Sequence, residues 1–267
     1  MRRRWLALLS AALSAMTACT HPAFEHIPPS AAQPVTLTIL AASSLAKVFP
    51  RIGELFTASH PNVRFRFSFA GTDALVAQIE QGAPADVFAG ASEKYGDQLA
   101  AEDLIDAPRI FATNRLVLVV PASNPAHIRT PADLTKPLKL VIGAEAVPVG
   151  AYTRKVLANL DAVYGPSYDQ KVLANVVSNE DSVAGVLAKV RLNEADAGFV
   201  YVTDAVASQD QVTSIALPAS AQAVASYPLA AVRASKQLFV ARAFAAFVLM
   251  GPPQAVLRGA SFGPPPA

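Results

Sequence analysis

The chain has 267 residues, of which 52% are hydrophobic, 16% charged and 7% aromatic. Such a composition excludes an intrinsically disordered chain, and the length accommodates one large domain or two lobes of ordinary size. Formal net charge is +2, yet removing Arg2, Arg3 and Arg4 leaves 19 basic against 20 acidic side chains, and no basic patch interleaves with aromatics, which excludes a nucleic-acid binder.

Mean hydropathy is +0.34. The apolar residues are spread along the chain, and only the N-terminus holds a continuous run, which excludes a polytopic membrane protein. One cysteine leaves no internal disulfide and no CxxC metal site.

Residues 1–18 read as a signal segment: Arg2 to Arg4 form the positive n-region, and an apolar stretch over 5–16 is too short to remain as a spanning helix. Met16-Thr17-Ala18-Cys19 resembles a bacterial lipobox, so Cys19 is expected to carry lipid after cleavage. Residues 19–34 are rich in proline and poor in apolar residues, as a tether from membrane to domain would be. On this reading Trp5 is removed and the mature chain has no tryptophan.

From residue 35 onward, strand and helix patterns alternate. A short apolar strand is expected over 35–41. Leu45, Val48, Phe49, Ile52, Leu55 and Phe56 then repeat at helical spacing, with Pro50 kinking that helix or delaying its start. Strands over 63–69 and 86–89 flank a helix over 72–81 that Gly82 stops, and a helix follows over 95–104. Further strands are expected over 115–121, 138–142, 175–177, 197–201 and 227–232, and helices over 150–160, 182–190, 236–250 and 254–258. This alternation predicts an α/β fold with mostly parallel sheets, and the length suits two lobes, each with its own sheet.

Four expected helix starts carry small or hydroxyl residues: Ser44, Thr72, the Pro148-Val149-Gly150 turn, and Glu180-Asp181-Ser182. Taken singly, each is an ordinary N-cap. Ligands of open α/β sheets bind beyond the carboxyl ends of the strands, where helix N-termini expose unpaired N–H groups and partial positive charge. Several such starts aimed at one cleft would make an anion site without Lys or Arg, with the Ser44 and Thr72 hydroxyls as added donors.

Other chemistry has less support. Ser44-Leu45-Ala46-Lys47 matches the S-x-x-K nucleophile motif, with Lys47 one turn away as base, but no S-D-N or K-T-G follows. HExxH, G-x-S-x-G, a P-loop and GxGxxG are all missing. Tyr164, Tyr168 and Tyr201 do not form the adjacent pair that a ferric-ion receptor uses.

Several segments together resemble the molybdate- and tungstate-binding receptors of ABC importers, which are of the periplasmic-binding-protein type. They are Leu40-Ala41-Ala42-Ser43-Ser44-Leu45, Phe67-Ser68-Phe69-Ala70-Gly71-Thr72, the specific run Gln78-Ile79-Glu80-Gln81-Gly82-Ala83-Pro84-Ala85-Asp86-Val87-Phe88, Val147-Pro148-Val149-Gly150, Asn179-Glu180-Asp181-Ser182-Val183, and Ala197-Gly198-Phe199-Val200-Tyr201-Val202-Thr203-Asp204-Ala205. The C-terminal Gly251-Pro252-Pro253-Gln254 fits as well, so the resemblance covers about 35–263.

The resemblance implies a two-lobed (type II) fold that closes over a tetrahedral oxyanion, with residues 35–116 and 226–267 in lobe 1 and 117–225 in lobe 2. Carried over by motif, Ser44 and Thr72 give hydroxyl and N–H donors, Val149 and Ser182 give backbone N–H groups, and Tyr201 gives its phenol hydroxyl. The oxyanion is held through its oxygens, with no protein–metal bond. Thr72 stands where the family often has Ser, and Asp73 where it often has a small polar residue; an Asp73 carboxylate facing the cleft would repel a dianion. The expected protein is a monomeric binding protein rather than an enzyme. It has no resident cofactor, is lipid-anchored on the extracytoplasmic side, and delivers molybdate or tungstate to the membrane subunits of an ABC permease. A receptor for sulfate or phosphate, and a serine acyl enzyme using Ser44 and Lys47, are the alternatives.

Overall fold

The computed structural model describes residues 34–266. The expected signal segment, Cys19 and all of the tether except Pro34 lie outside the described residues. The described residues make up one compact unit.

Ten strands and nine α-helices are present among the described residues. The strands are β1 (Val35–Ala42), β2 (Val63–Ala70), β3 (Val87–Ala89), β4 (Arg109–Asn114), β5 (Leu116–Pro121), β6 (Leu140–Gly143), β7 (Val176–Glu180), β8 (Ala197–Tyr201), β9 (Val212–Ile215) and β10 (Ala225–Ala231). The helices are α1 (Phe49–Ser59), α2 (Thr72–Glu80), α3 (Glu93–Ala101), α4 (Pro148–Tyr164), α5 (Tyr168–Leu173), α6 (Val183–Arg191), α7 (Val202–Val206), α8 (Leu238–Val248) and α9 (Gly251–Gly259).

The strands form two five-stranded sheets, ordered β2-β1-β3-β10-β4 and β7-β6-β8-β5-β9. In the first, β2, β1 and β3 run parallel and β10 is antiparallel to both of its neighbours. In the second, β7, β6 and β8 run parallel and β5 is the reversed strand. The reversed strands are those the chain enters on passing from one sheet to the other: β4 leads through Asn114 and Arg115 into β5, and the chain returns after β9 into β10.

Local chemistry explains the elements. All six residues of β5 are buried, as a run of Leu and Val in an interior strand requires. On the edge strand β2, Arg64 and Arg66 face solvent while Phe65 packs edge-on against Phe56, with ring centroids 6.0 Å apart. Charged residues on an open edge resist pairing with another chain.

The helix expected from Leu45 onward divides. Ser43–Leu45 form a 3-10 turn, and α1 begins only at Phe49, with Pro50 in its first turn. Proline lacks an N–H but matches helical φ, so it delays the helix instead of kinking it. Ser44 therefore does not open an α-helix. Strands β4 and β9 and the short helices α5 and α7 were absent from the sequence-based expectation, because each is short and lacks clear periodicity.

Candidate functional site

The C-terminal ends of β1, β2, β3, β6, β7 and β8 converge on one small cavity of about 10 Å³. Ser43 and Ser44 reach it from the turn after β1, Gly71 and Thr72 from the junction of β2 and α2, and Ala91 from the loop after β3. On the other side stand Val147, Pro148 and Val149 at the start of α4, Val183 at the start of α6, and Tyr201 at the end of β8. No charged residue lines the cavity. This is the strand-end location expected of ligands in open α/β sheets.

Each wall contributes donors for a stated reason. Ser44 is 5% exposed, and its Oγ lies 2.9 Å from the Tyr227 hydroxyl. Thr72, the first residue of α2, is 1% exposed, and its Oγ1 accepts from the Ala91 N–H at 3.1 Å. In α4, Pro148 stands in the first turn, so Val149 supplies the first N–H of the helix, ahead of any carbonyl that could accept it within the helix. Tyr201 is buried, and its hydroxyl has no hydrogen-bond partner among the described residues. Burial, with Tyr227 beside it, pushes the Tyr201 phenol well above its ordinary pKa. Burial likewise raises Tyr227. Both phenols are therefore neutral at physiological pH. Among the described residues no cluster of His, Cys, Asp and Glu could hold a metal.

Four of the expected site residues, Ser44, Thr72, Val149 and Tyr201, thus line one cavity. Ser182 stands one residue behind the wall. It is the N-cap of α6, its Oγ accepts from the Gly185 N–H at 3.3 Å, and the adjacent Val183 lines the cavity. Asp73 is not a lining residue, and its Oδ1 is enclosed without a partner next to Gly71. Lys47 is exposed, whereas the Ser44 hydroxyl meets Tyr227, so no base stands at that serine. Tyr164 and Tyr168 do pair, with ring centroids 5.0 Å apart, but neither lines the cavity.

Residues that the sequence did not single out complete the surroundings. Asn114, 3% exposed, donates from Nδ2 to Thr203 Oγ1 at 2.9 Å and to the Tyr227 hydroxyl at 3.4 Å. Its Oδ1 accepts from the Arg115 N–H at 2.9 Å. No motif marks Asn114, which ends a strand without clear periodicity, or Tyr227, which sits in a strand whose pattern reads as core. Tyr95 of α3 donates to the carbonyl of Ala146, just ahead of α4. A Cβ built on Gly71 would lie 2.3 Å from the Asp181 carbonyl oxygen, so the β2–α2 junction and the loop ahead of α6 meet at backbone distance.

Two α/β sheets that present their strand ends and helix starts to one uncharged, donor-lined cavity have the architecture of a two-lobed solute receptor. The family model of bacterial extracellular solute-binding proteins matches residues 37–262, and the chain belongs to that family. The molybdate-binding protein ModA of Mycobacterium tuberculosis is 37% identical over 270 residues, spanning 98% of this chain and 100% of its own length. Two solved structures share the fold. The sulfate-binding protein SubI of Mycobacterium tuberculosis has a TM-score of 0.77 at 20% identity, covering 86% of this chain and 87% of its own. The periplasmic molybdate-binding protein of Azotobacter vinelandii has a TM-score of 0.75 at 18% identity, covering 86% of this chain and 100% of its own.

Proposed function

We propose that this chain is an extracytoplasmic receptor that binds molybdate, with tungstate as a near-equivalent ligand, and delivers it to the membrane subunits of an ABC permease. The observation that carries this reading is the buried Tyr201 hydroxyl, without a partner, in a cavity shared with Ser44, Thr72 and the N-terminus of α4. An unpaired buried hydroxyl is costly, and an oxyanion would relieve that cost. The ModA relative supports the choice of anion.

The donor set supports a fully deprotonated tetrahedral dianion. Monohydrogen phosphate brings a proton that needs an acceptor, and a wall of donors leaves that proton unpaired. Sulfate has no such proton and is distinguished only by size. Ser44, Thr72 and Tyr201 would give hydroxyls, and Val149 a backbone N–H. The Ser182 N–H completes the proposed set from the loop ahead of α6. No protein atom bonds the metal of the oxyanion.

The rest of the reading is equally a proposal. Residues 35–116 with 226–267 act as one lobe and 117–225 as the other, closing about the ligand. Lipid on Cys19 holds a monomeric receptor at the membrane. The chain binds and releases its cargo without chemistry and needs no cofactor.

Calorimetric titration of the purified chain with molybdate, tungstate, sulfate and phosphate in a phosphate-free buffer tests this. Tight binding of molybdate and tungstate alone is the expected result. Preference for sulfate or phosphate would reassign the cargo, and no binding of any anion would overturn the receptor reading.

A further inference from the structure

Both cavity hydroxyls are already held by a hydrogen bond within the protein. Thr72 Oγ1 accepts from the Ala91 N–H, so its single proton is free to point into the cavity. Ser44 Oγ meets the Tyr227 hydroxyl at 2.9 Å, a contact in which either oxygen could give the proton. Asn114 bears on the direction. Its Oδ1 accepts from the Arg115 N–H, which turns Nδ2 toward Thr203 and Tyr227. An amide nitrogen only donates. With one acceptor position of the Tyr227 oxygen facing Asn114, the Tyr227 proton is free to be given to Ser44 Oγ at 2.9 Å. In that arrangement the Ser44 proton faces the cavity it lines.

We infer that Asn114 and Tyr227 are positioning residues that polarise Ser44 as a donor, and so set the selectivity of the site against protonated oxyanions. The inference rests on the oxyanion-receptor reading. It assigns selectivity to two residues that do not line the cavity. With the relay in place Ser44 turns its proton to the anion and one of its two lone pairs to Tyr227; without it the hydroxyl rotates freely and accepts from a protonated anion more readily.

A double-mutant cycle read by molybdate titration is the test. Tyr227→Phe keeps the ring and removes the hydroxyl, and should raise the molybdate Kd about tenfold, a typical loss for one hydrogen bond serving a charged ligand. In a Ser44→Ala background the same substitution should change Kd by less than about twofold, because nothing remains for Tyr227 to orient. Phosphate, measured as a competitor of molybdate, should gain ground in Tyr227→Phe, its relative affinity rising about tenfold by the same reasoning. Should Tyr227→Phe not fold, Asn114→Ala should give the same coupling to Ser44.

Costs of Tyr227→Phe and Ser44→Ala that simply multiply would make Tyr227 a packing residue and overturn the relay, as would an unchanged Kd in Tyr227→Phe. A native chain that binds no tetrahedral anion would instead overturn the receptor reading itself, so the two failures are distinguishable.

Discussion

The phenol of Tyr95 donates to the backbone carbonyl of Ala146, joining the helix after β3 to the loop that opens α4 on the opposite sheet. Burial, with the Asp73 carboxylate adding to it, raises the Tyr95 pKa, so the group is a proton donor across the physiological range. The bond crosses from one wall of the cavity to the other without touching the cavity itself. Tyr95→Phe should therefore weaken oxyanion binding by about two- to tenfold, the net value of one hydrogen bond. The loss should appear as faster release, visible in stopped-flow dissociation, with the melting temperature of the unliganded protein nearly unchanged.

Gly71 gives a steric counterpart. Its φ of −60° is open to any residue, but an added Cβ would meet the Asp181 carbonyl oxygen at 2.3 Å. Gly71→Ala should leave the unliganded fold intact and hold the two walls apart. Affinity should fall about five- to hundredfold, since overpacking at a rigid backbone contact costs roughly 1–3 kcal/mol and also misplaces Thr72. Titration calorimetry beside circular dichroism separates this outcome from misfolding.

The direct donors should be stronger than either of these. Ser44→Ala combined with Thr72→Val removes two buried hydroxyls and should weaken binding about hundredfold or more, at about 1.5–3 kcal/mol for each bond to a charged group. Tyr201→Phe should weaken binding by a similar factor per bond. It should also leave the unliganded protein as stable or more stable, because it deletes a buried hydroxyl that has no protein partner. Thermal denaturation with and without molybdate reads both effects.

Asp204 predicts a pH dependence. In the first turn of α7, its Oδ2 is enclosed without a partner, and burial raises its pKa from 3.8 to about 7, opposed only by a bond from the Tyr201 backbone. A carboxyl raised in the folded state binds its proton more tightly there than in the unfolded chain. Its stabilising contribution is full below about pH 4 and is lost as pH rises to about 7. Asp204→Asn should abolish that slope and stabilise the protein at pH 8 by about 1–3 kcal/mol, because the neutral amide avoids the cost of burying an ionised carboxylate. Urea denaturation of both proteins at pH 5 and pH 8 checks the sign.

The walls of the site were legible in the sequence to different degrees. Thr72 and Val149 follow strand patterns and open helices, so their place at helix starts could be read locally. Ser44 was singled out for the right neighbourhood but the wrong element, because Pro50 moves the helix start to Phe49. Tyr201 emerged only through the resemblance, since a tyrosine at a strand end otherwise reads as half-buried packing. Tyr95, Asn114 and Tyr227 had no local signal. Their partners lie 51, 89 and 183 residues away along the chain, and no window of sequence contains both ends of such a bond.

Sequence alone determined the α/β class, the strand-to-helix junctions and the family resemblance, because periodicity, proline and glycine punctuation and short motifs act over a few neighbouring residues. Tertiary structure alone decided which junctions meet, which hydroxyls are already held by a hydrogen bond within the protein, and which buried oxygens go without a partner. Those properties depend on chain crossings at Asn114 and Ala225 that bring two sheets together, and hydrogen-bond direction exists only once both partners are in place.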